Sequence, residues 1–169
     1  MSHTFNLELR GRTLTVALFL CGAIVLPAWG QRANGYVFIA PGGLSCCNGH
    51  TDMTLHAGVG GEVNLWKGLG AGAEFGGLGP RDNLSDGLVV GSVNGYYHLP
   101  LGAGHKFDPF VTGGYTVLGK LGHANLGNVG VGVNYWFTRH FGLRLEARDH
   151  IRTGPSVQYW GVRIGLAIH

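Results

Sequence analysis

Arg144, Glu146 and Arg148 stand two residues apart, so on an extended strand their side chains share one face. Arg163 falls in phase with them on the next segment, and Glu62 and Glu74 bring carboxylates from far upstream. Charges taken out of water must be paired to be tolerated. These six residues are therefore expected to meet as carboxylate–guanidinium contacts. The active chemistry open to such a set is ion or proton selection at a constriction. The plainer role is a plug that spaces and stiffens its surroundings. An interior so narrow that side chains fill it would favour the plug.

A second cluster is Cys46-Cys47-Asn48-Gly49-His50, with Asp52 and His56 nearby. Thiolate and imidazole suit zinc or copper. Adjacent cysteines point apart in extended chain, however, and no second ligand pair follows at a usual spacing. No metal is expected, Cys46, Cys47 and His50 being the only candidates for one. An exposed loop with two oxidisable thiols, or a disulfide made by them, is the simpler reading.

A third set, Asp149, His150 and Ser156, has the residue types of a hydrolase. Asp149 and His150 are neighbours, so on a strand they face opposite ways, and Ser156 lies across a loop. No phosphate loop, nucleotide fingerprint or zinc-protease motif is present. No catalytic residue and no cofactor are expected, and the chain is read as a non-enzyme.

The elements that must position these groups follow from period two. Val129, Val131, Val133, Tyr135 and Phe137 alternate with Gly130, Gly132, Asn134 and Trp136. Phe141, Leu143, Leu145 and Ala147 alternate with Gly142, Arg144, Glu146 and Arg148. Trp160, Val162, Ile164, Leu166 and Ile168 alternate with Gly161, Arg163, Gly165 and Ala167. One face is apolar; the other carries glycine, small polar groups and charge. Each segment is about ten residues long, the length of a tilted membrane-crossing strand.

Five more strands precede these: 34–40, 53–65, 69–76, 88–99 and 107–119. The last three are read as 125–138, 141–151 and 156–168. Pro41-Gly42-Gly43 is expected to end the first strand. Loops are expected at 42–52, 77–86, 119–124 and 152–155, and tight turns at Trp66, Pro100 and Arg139. Eight strands on short connections predict an all-β, antiparallel up-and-down barrel. An even number puts both termini at one end, with the turns.

Composition bounds the partners. The 169 residues suit one domain, and no run of 18 apolar residues follows residue 30. Charged residues are 12% of the chain, about half the usual share, and the net charge of +3 is scattered. Nucleic acid is therefore not an expected partner. The 32 glycines show no period of three and no linker tract. Glycine weakens a strand unless the backbone bends or the interior is crowded, and a narrow barrel needs both. A soluble eight-stranded barrel of the lipocalin kind is the architectural rival. It would put the polar face in water, and a face of glycine, asparagine and threonine makes a poor solvent surface.

Residues 1–30 are expected to be a secretory signal peptide. Arg10 and Arg12 precede the apolar run Leu14–Leu26, Pro27 breaks it, and Ala28-Trp29-Gly30 offers a cleavage site before Gln31. The barrel domain is then 31–169. Export makes a membrane barrel possible.

Phe107-Asp108-Pro109-Phe110-Val111-Thr112-Gly113-Gly114-Tyr115, Gly130-Val131-Gly132-Val133-Asn134-Tyr135-Trp136 and Gly142–Asp149 together resemble the outer-membrane β-barrel domain superfamily, the OmpA/OmpX-type small barrels. The resemblance covers about residues 34–169. It implies the bacterial outer membrane, lipid as the surrounding partner, the insertion machinery during biogenesis, and a monomer. Chains of this type usually end on an aromatic residue; this one ends Ala167-Ile168-His169. The expected role is structural or surface-interacting, with a charged, glycine-rich filled lumen. The alternatives are a narrow channel for ions or very small solutes, and a lipid-A-modifying enzyme.

Overall fold

The computed structural model describes residues 33–46, 50–80, 87–101, 106–119, 123–152 and 158–169. The expected signal peptide lies outside them. The strands are β1 (Ala33–Cys46), β2 (His50–Trp66), β3 (Leu69–Pro80), β4 (Leu88–His98), β5 (Phe107–Gly119), β6 (His123–Trp136), β7 (Phe141–Ile151) and β8 (Gln158–Ile168). Each pairs antiparallel with the next, and β1 closes on β8. Closure leaves no unpaired sheet edge, the condition for a sheet to survive in lipid.

Alternation decides the facing. In β1, Tyr36 and Phe38 are buried, whereas Val37 and Ile39, which follow each of them, are more than half exposed. β8 alternates without a break from Gln158 to Ile168. Val59, Phe75, Val93, Val131, Val162 and Leu166 continue the apolar outer surface. A one-residue slip in any strand would turn that surface inward.

Parts of two expected loops, 42–46 with 50–52 and 77–80, prove to be strand; 47–49 and 81–86 lie outside the described residues. β1 runs through Pro41-Gly42-Gly43 to Cys46, paired with β2 throughout. Pro41 has no N–H to donate. The β1–β8 ladder accordingly skips from Ile39–Ile164 to Gly42–Gly161, while the β2 ladder is unbroken. Gly42 then lets β8 come close: a Cβ there would lie 2.0 Å from the Trp160 carbonyl oxygen. Similarly, β3 extends to Pro80 because Gly77 pairs with Val89 and Gly79 with Leu55. β6 starts and stops two residues earlier than expected, and β8 begins at Gln158.

The tightest turn, Lys67-Gly68, joins β2 to β3 through two residues, with φ of 44° and 88°. Two positive φ values match the hairpin turn whose twist suits the strands it connects. The Gly68 carbonyl accepts from the His98 N–H at 2.7 Å, which ties this turn to β4.

Inward glycines make room for inward rings. A Cβ at Gly60 would lie 2.6 Å from the Tyr36 ring, and one at Gly132 would lie 2.4 Å from Phe110 Cζ. One at Gly142 would lie 2.8 Å from the Trp136 ring. Gly132→Ala is therefore expected to cost about 1–3 kcal/mol of stability by overpacking. Gly91→Ala, with nothing within 4 Å of the new Cβ, should stay within about 0.5 kcal/mol of the parent. Urea unfolding of vesicle-refolded protein checks both; equal costs would remove crowding as the reason for the glycines.

Candidate functional site

The six charged residues lie in one network in the middle of the lumen. β7 presents Arg144, Glu146 and Arg148 on consecutive inward positions, and Arg163 of β8 is the direct register partner of Glu146. Glu62 of β2 and Glu74 of β3 reach them across the interior. All six are almost fully buried, Arg144 at 2% exposure and Glu146 at 3%.

The contacts form a chain of alternating sign. Arg144 Nη1 donates to Glu62 Oε2 at 3.4 Å and its Nε to Glu146 Oε2 at 3.2 Å. Arg148 Nε donates to Glu146 Oε1, and Arg148 Nη1 to Glu74 Oε2 at 2.8 Å. Arg163 Nη1 donates to both Glu74 oxygens at 2.8 Å and lies 3.8 Å from Glu146 Oε1. Three carboxylates thus balance three guanidinium groups.

Aromatic residues complete the set. The Arg144 guanidinium carbon lies 4.2 Å from the Tyr36 ring centre and 4.1 Å from that of Phe110. The Arg163 guanidinium carbon lies 4.6 Å from the Phe38 ring centre. Ring faces attract such cations most where water is excluded. The Tyr36 hydroxyl donates to Glu74 at 2.7 Å and meets the Tyr96 hydroxyl at 2.9 Å. The space bounded by Tyr36, Phe38, Arg144, Glu146, Arg163 and Gly165 has no room for a water molecule.

Below the network, at the end where the turns lie, His98 joins two carboxylates. Its Nδ1 is 2.9 Å from Asp108 and its Nε2 is 3.4 Å from Glu62. Asn134 Nδ2 donates to Asp108 at 3.1 Å, and Asn34 Nδ2 to Glu62 at 3.2 Å. His98, Asp108 and Asn34 floor an open cavity of about 560 Å³, walled by Leu99, Phe107 and Trp136. His98 and Asp108 were missing from the expected set. Their signal was present in the alternation, since both stand on the inward phase of β4 and β5.

Above the network the lumen holds an apolar cluster beside the inward His56 and His150. Leu78, Val90, Leu118, Leu126 and Tyr159 form a buried cluster, with Leu44 and Ala124 packed against it. Leu44 and Leu78 are contributed by stretches expected to be loops. Between cluster and network, Ser92 and Thr116 hydroxyls meet at 2.9 Å, and Asn128 Nδ2 donates to Thr116 at 2.9 Å.

The remaining candidates do not converge. Cys46 pairs with His50 across the β1–β2 hairpin, and Cys47 lies outside the described residues. His56 belongs to the lumen instead, edge-on to Phe38 at 5.0 Å. No group of three or more His, Cys, Asp or Glu able to hold a metal occurs among the described residues. His150 faces inward and stacks on Tyr159 at 4.8 Å, whereas Asp149 faces outward and accepts from Gln158 at 2.9 Å. Ser156 lies outside the described residues.

This fold is that of the small eight-stranded outer-membrane β-barrels. No family model matches the chain, and no curated protein matches its sequence. Among solved structures it is similar to Neisserial surface protein A, with a TM-score of 0.63 and 12% identity over 82% of this chain and 98% of that one. The N-terminal β-barrel domain of Pseudomonas aeruginosa OprF matches with a TM-score of 0.53 and 15% identity, over 80% of this chain and 99% of that one. Ail, the attachment invasion locus protein of Yersinia pestis, matches with a TM-score of 0.52 and 8% identity, over 82% and 97%.

Glu146 bridges Arg144 and Arg148, so its removal leaves three buried guanidinium groups against the two carboxylates of Glu62 and Glu74. Glu146→Ala is expected to cost about 3–5 kcal/mol. Asp52→Ala, at an exposed position, should cost no more than about 0.5 kcal/mol. Urea midpoints of the two variants in one vesicle preparation check the contrast.

Proposed function

We propose that the chain is an exported bacterial outer-membrane barrel that catalyses no turnover. Its lumen is a structural plug, and its loop end serves surface interaction. Loops 81–86 and 153–157 then face outward, and the turns at Lys67, Lys106 and Arg139 face the periplasm. The observation that carries the plug is the absence of water-sized space where Arg144, Glu146 and Arg163 meet Tyr36 and Phe38. The apolar cluster of Leu78, Val90, Leu118 and Leu126 beyond it supports the same reading. An ion crossing this interior would have to leave its hydration shell and break paired charges. Membrane insertion is supported by the apolar outer surface, with exposed Trp66, Phe107, Phe137 and Phe141 at one end and Trp160 towards the other. Surface interaction rests on fold-level likeness to Neisserial surface protein A and to Ail, and is the more general part of the proposal.

Planar-bilayer recording of refolded protein tests the plug. No unitary conductance is expected from the parent chain, and none from Glu146→Ala at denaturant concentrations where it stays folded. Discrete, ion-selective steps from the parent would restore the channel reading.

A further inference from the structure

The three turns at the end bearing the termini repeat one chemical pattern. Lys67 follows Trp66, Lys106 precedes Phe107, and Arg139 stands between Phe137 and Phe141. All three cations are exposed, and so are the four aromatic side chains. The turns connect β2 to β3, β4 to β5 and β6 to β7. One cation therefore stands at every second strand around the rim, until the position where β8 meets β1.

Hydrogen bonds hold each turn in place. Gly68 is bonded to β4 through His98, and the Lys106 carbonyl accepts from the Trp136 N–H at 2.8 Å. Thr138 Oγ1 accepts from the N–H groups of His140 and Phe141 at 3.2 and 2.9 Å. The Lys67 ammonium lies 4.9 Å from the centre of the Trp66 ring.

Acidic groups at this end are turned away from the rim. Glu62 and Asp108 face the lumen and are engaged by Arg144 and His98. Among the described residues no other acidic side chain lies at this end. The remaining connection residues, 102–105, contain no acid. Among the described residues the opposite end is mixed, with Asp52 and Asp149 against Arg152.

An aromatic ring at the edge of the hydrocarbon and a cation just beyond it match the layering of acyl chain and phosphate in a phospholipid leaflet. We propose that this rim is a binding surface for anionic phospholipid headgroups, with Lys67, Lys106 and Arg139 each engaging a lipid phosphate. The inference rests on the membrane-barrel reading and adds to it the class of lipid at the turn end.

The test is native mass spectrometry of the full chain, refolded in vesicles of equimolar phosphatidylcholine and phosphatidylglycerol and then released into detergent. The parent should retain phosphatidylglycerol over phosphatidylcholine by about fivefold, as one basic residue near an anionic surface allows. The variant Lys67→Gln/Lys106→Gln/Arg139→Gln should lose the preference while keeping its heat-dependent gel shift. Arg152→Gln, at the other end, should keep it. A barrel that inserts but retains both lipids equally overturns this inference alone, as does a folded triple variant with the preference intact. A chain that never inserts overturns the membrane reading as well.

Discussion

Taking a carboxylate out of water costs several kcal/mol unless cations and hydrogen bonds replace the lost hydration. Glu146 meets that condition because its neighbours on the inward face of β7 are both arginines, with Arg163 beside it on β8. Glu74 meets it through Arg148, Arg163 and Tyr36. Each contact requires a particular register, and slipping β7 by one residue would carry all three of its charges to the apolar outer surface. The network therefore selects the pairing of β2, β3, β7 and β8 as well as filling the space between them. The outer surface imposes the same phase from the other side.

Volume is the second constraint. Eight strands enclose a lumen only wide enough for side chains. Three arginines with Tyr36, Phe38, Tyr96 and Phe110 fit because facing positions are glycine. The glycine content, which looks unfavourable strand by strand, is the complement of the rings. It also lets the space between Tyr36, Phe38, Arg144, Glu146 and Arg163 close to less than the size of a water molecule. The guanidinium groups of Arg144 and Arg163 lie on aromatic faces, which occupy space that water would otherwise need.

The eight strands were legible in the sequence because period two survives in most segments, most clearly in β7 and β8; β1 is the exception, since Tyr36, Val37, Phe38 and Ile39 are apolar on both phases. The ends of strands were less legible. Gly77 and Gly79 carry no side chain to show a phase, and Pro41 reads as a stop although it interrupts only the ladder to β8. The shared face of Arg144, Glu146 and Arg148 could be read from spacing alone. That Glu74 on β3 meets Arg148 and Arg163 across the lumen could not, because reach across a barrel depends on its radius and shear. His98 and Asp108 stood on the inward phase, but nothing in their local sequence says that they meet. The apolar loop-end cluster was hidden because Leu44 and Leu78 fall in stretches that glycine and proline mark as loop.

The central claim is that Val37 and Ile39 face lipid while Tyr36 and Phe38 face the charged interior. Those four consecutive residues make a direct test. The measurement is photolabelling of vesicle-inserted protein with a lipid-soluble carbene precursor, read residue by residue by mass spectrometry. Labelling at Val37 and Ile39, with Tyr36 and Phe38 protected, is the expected result. Labelling at Tyr36 and Phe38, or none along the whole segment, would contradict the assignment of the two faces and with it the plug, the glycine pattern and the lipid rim.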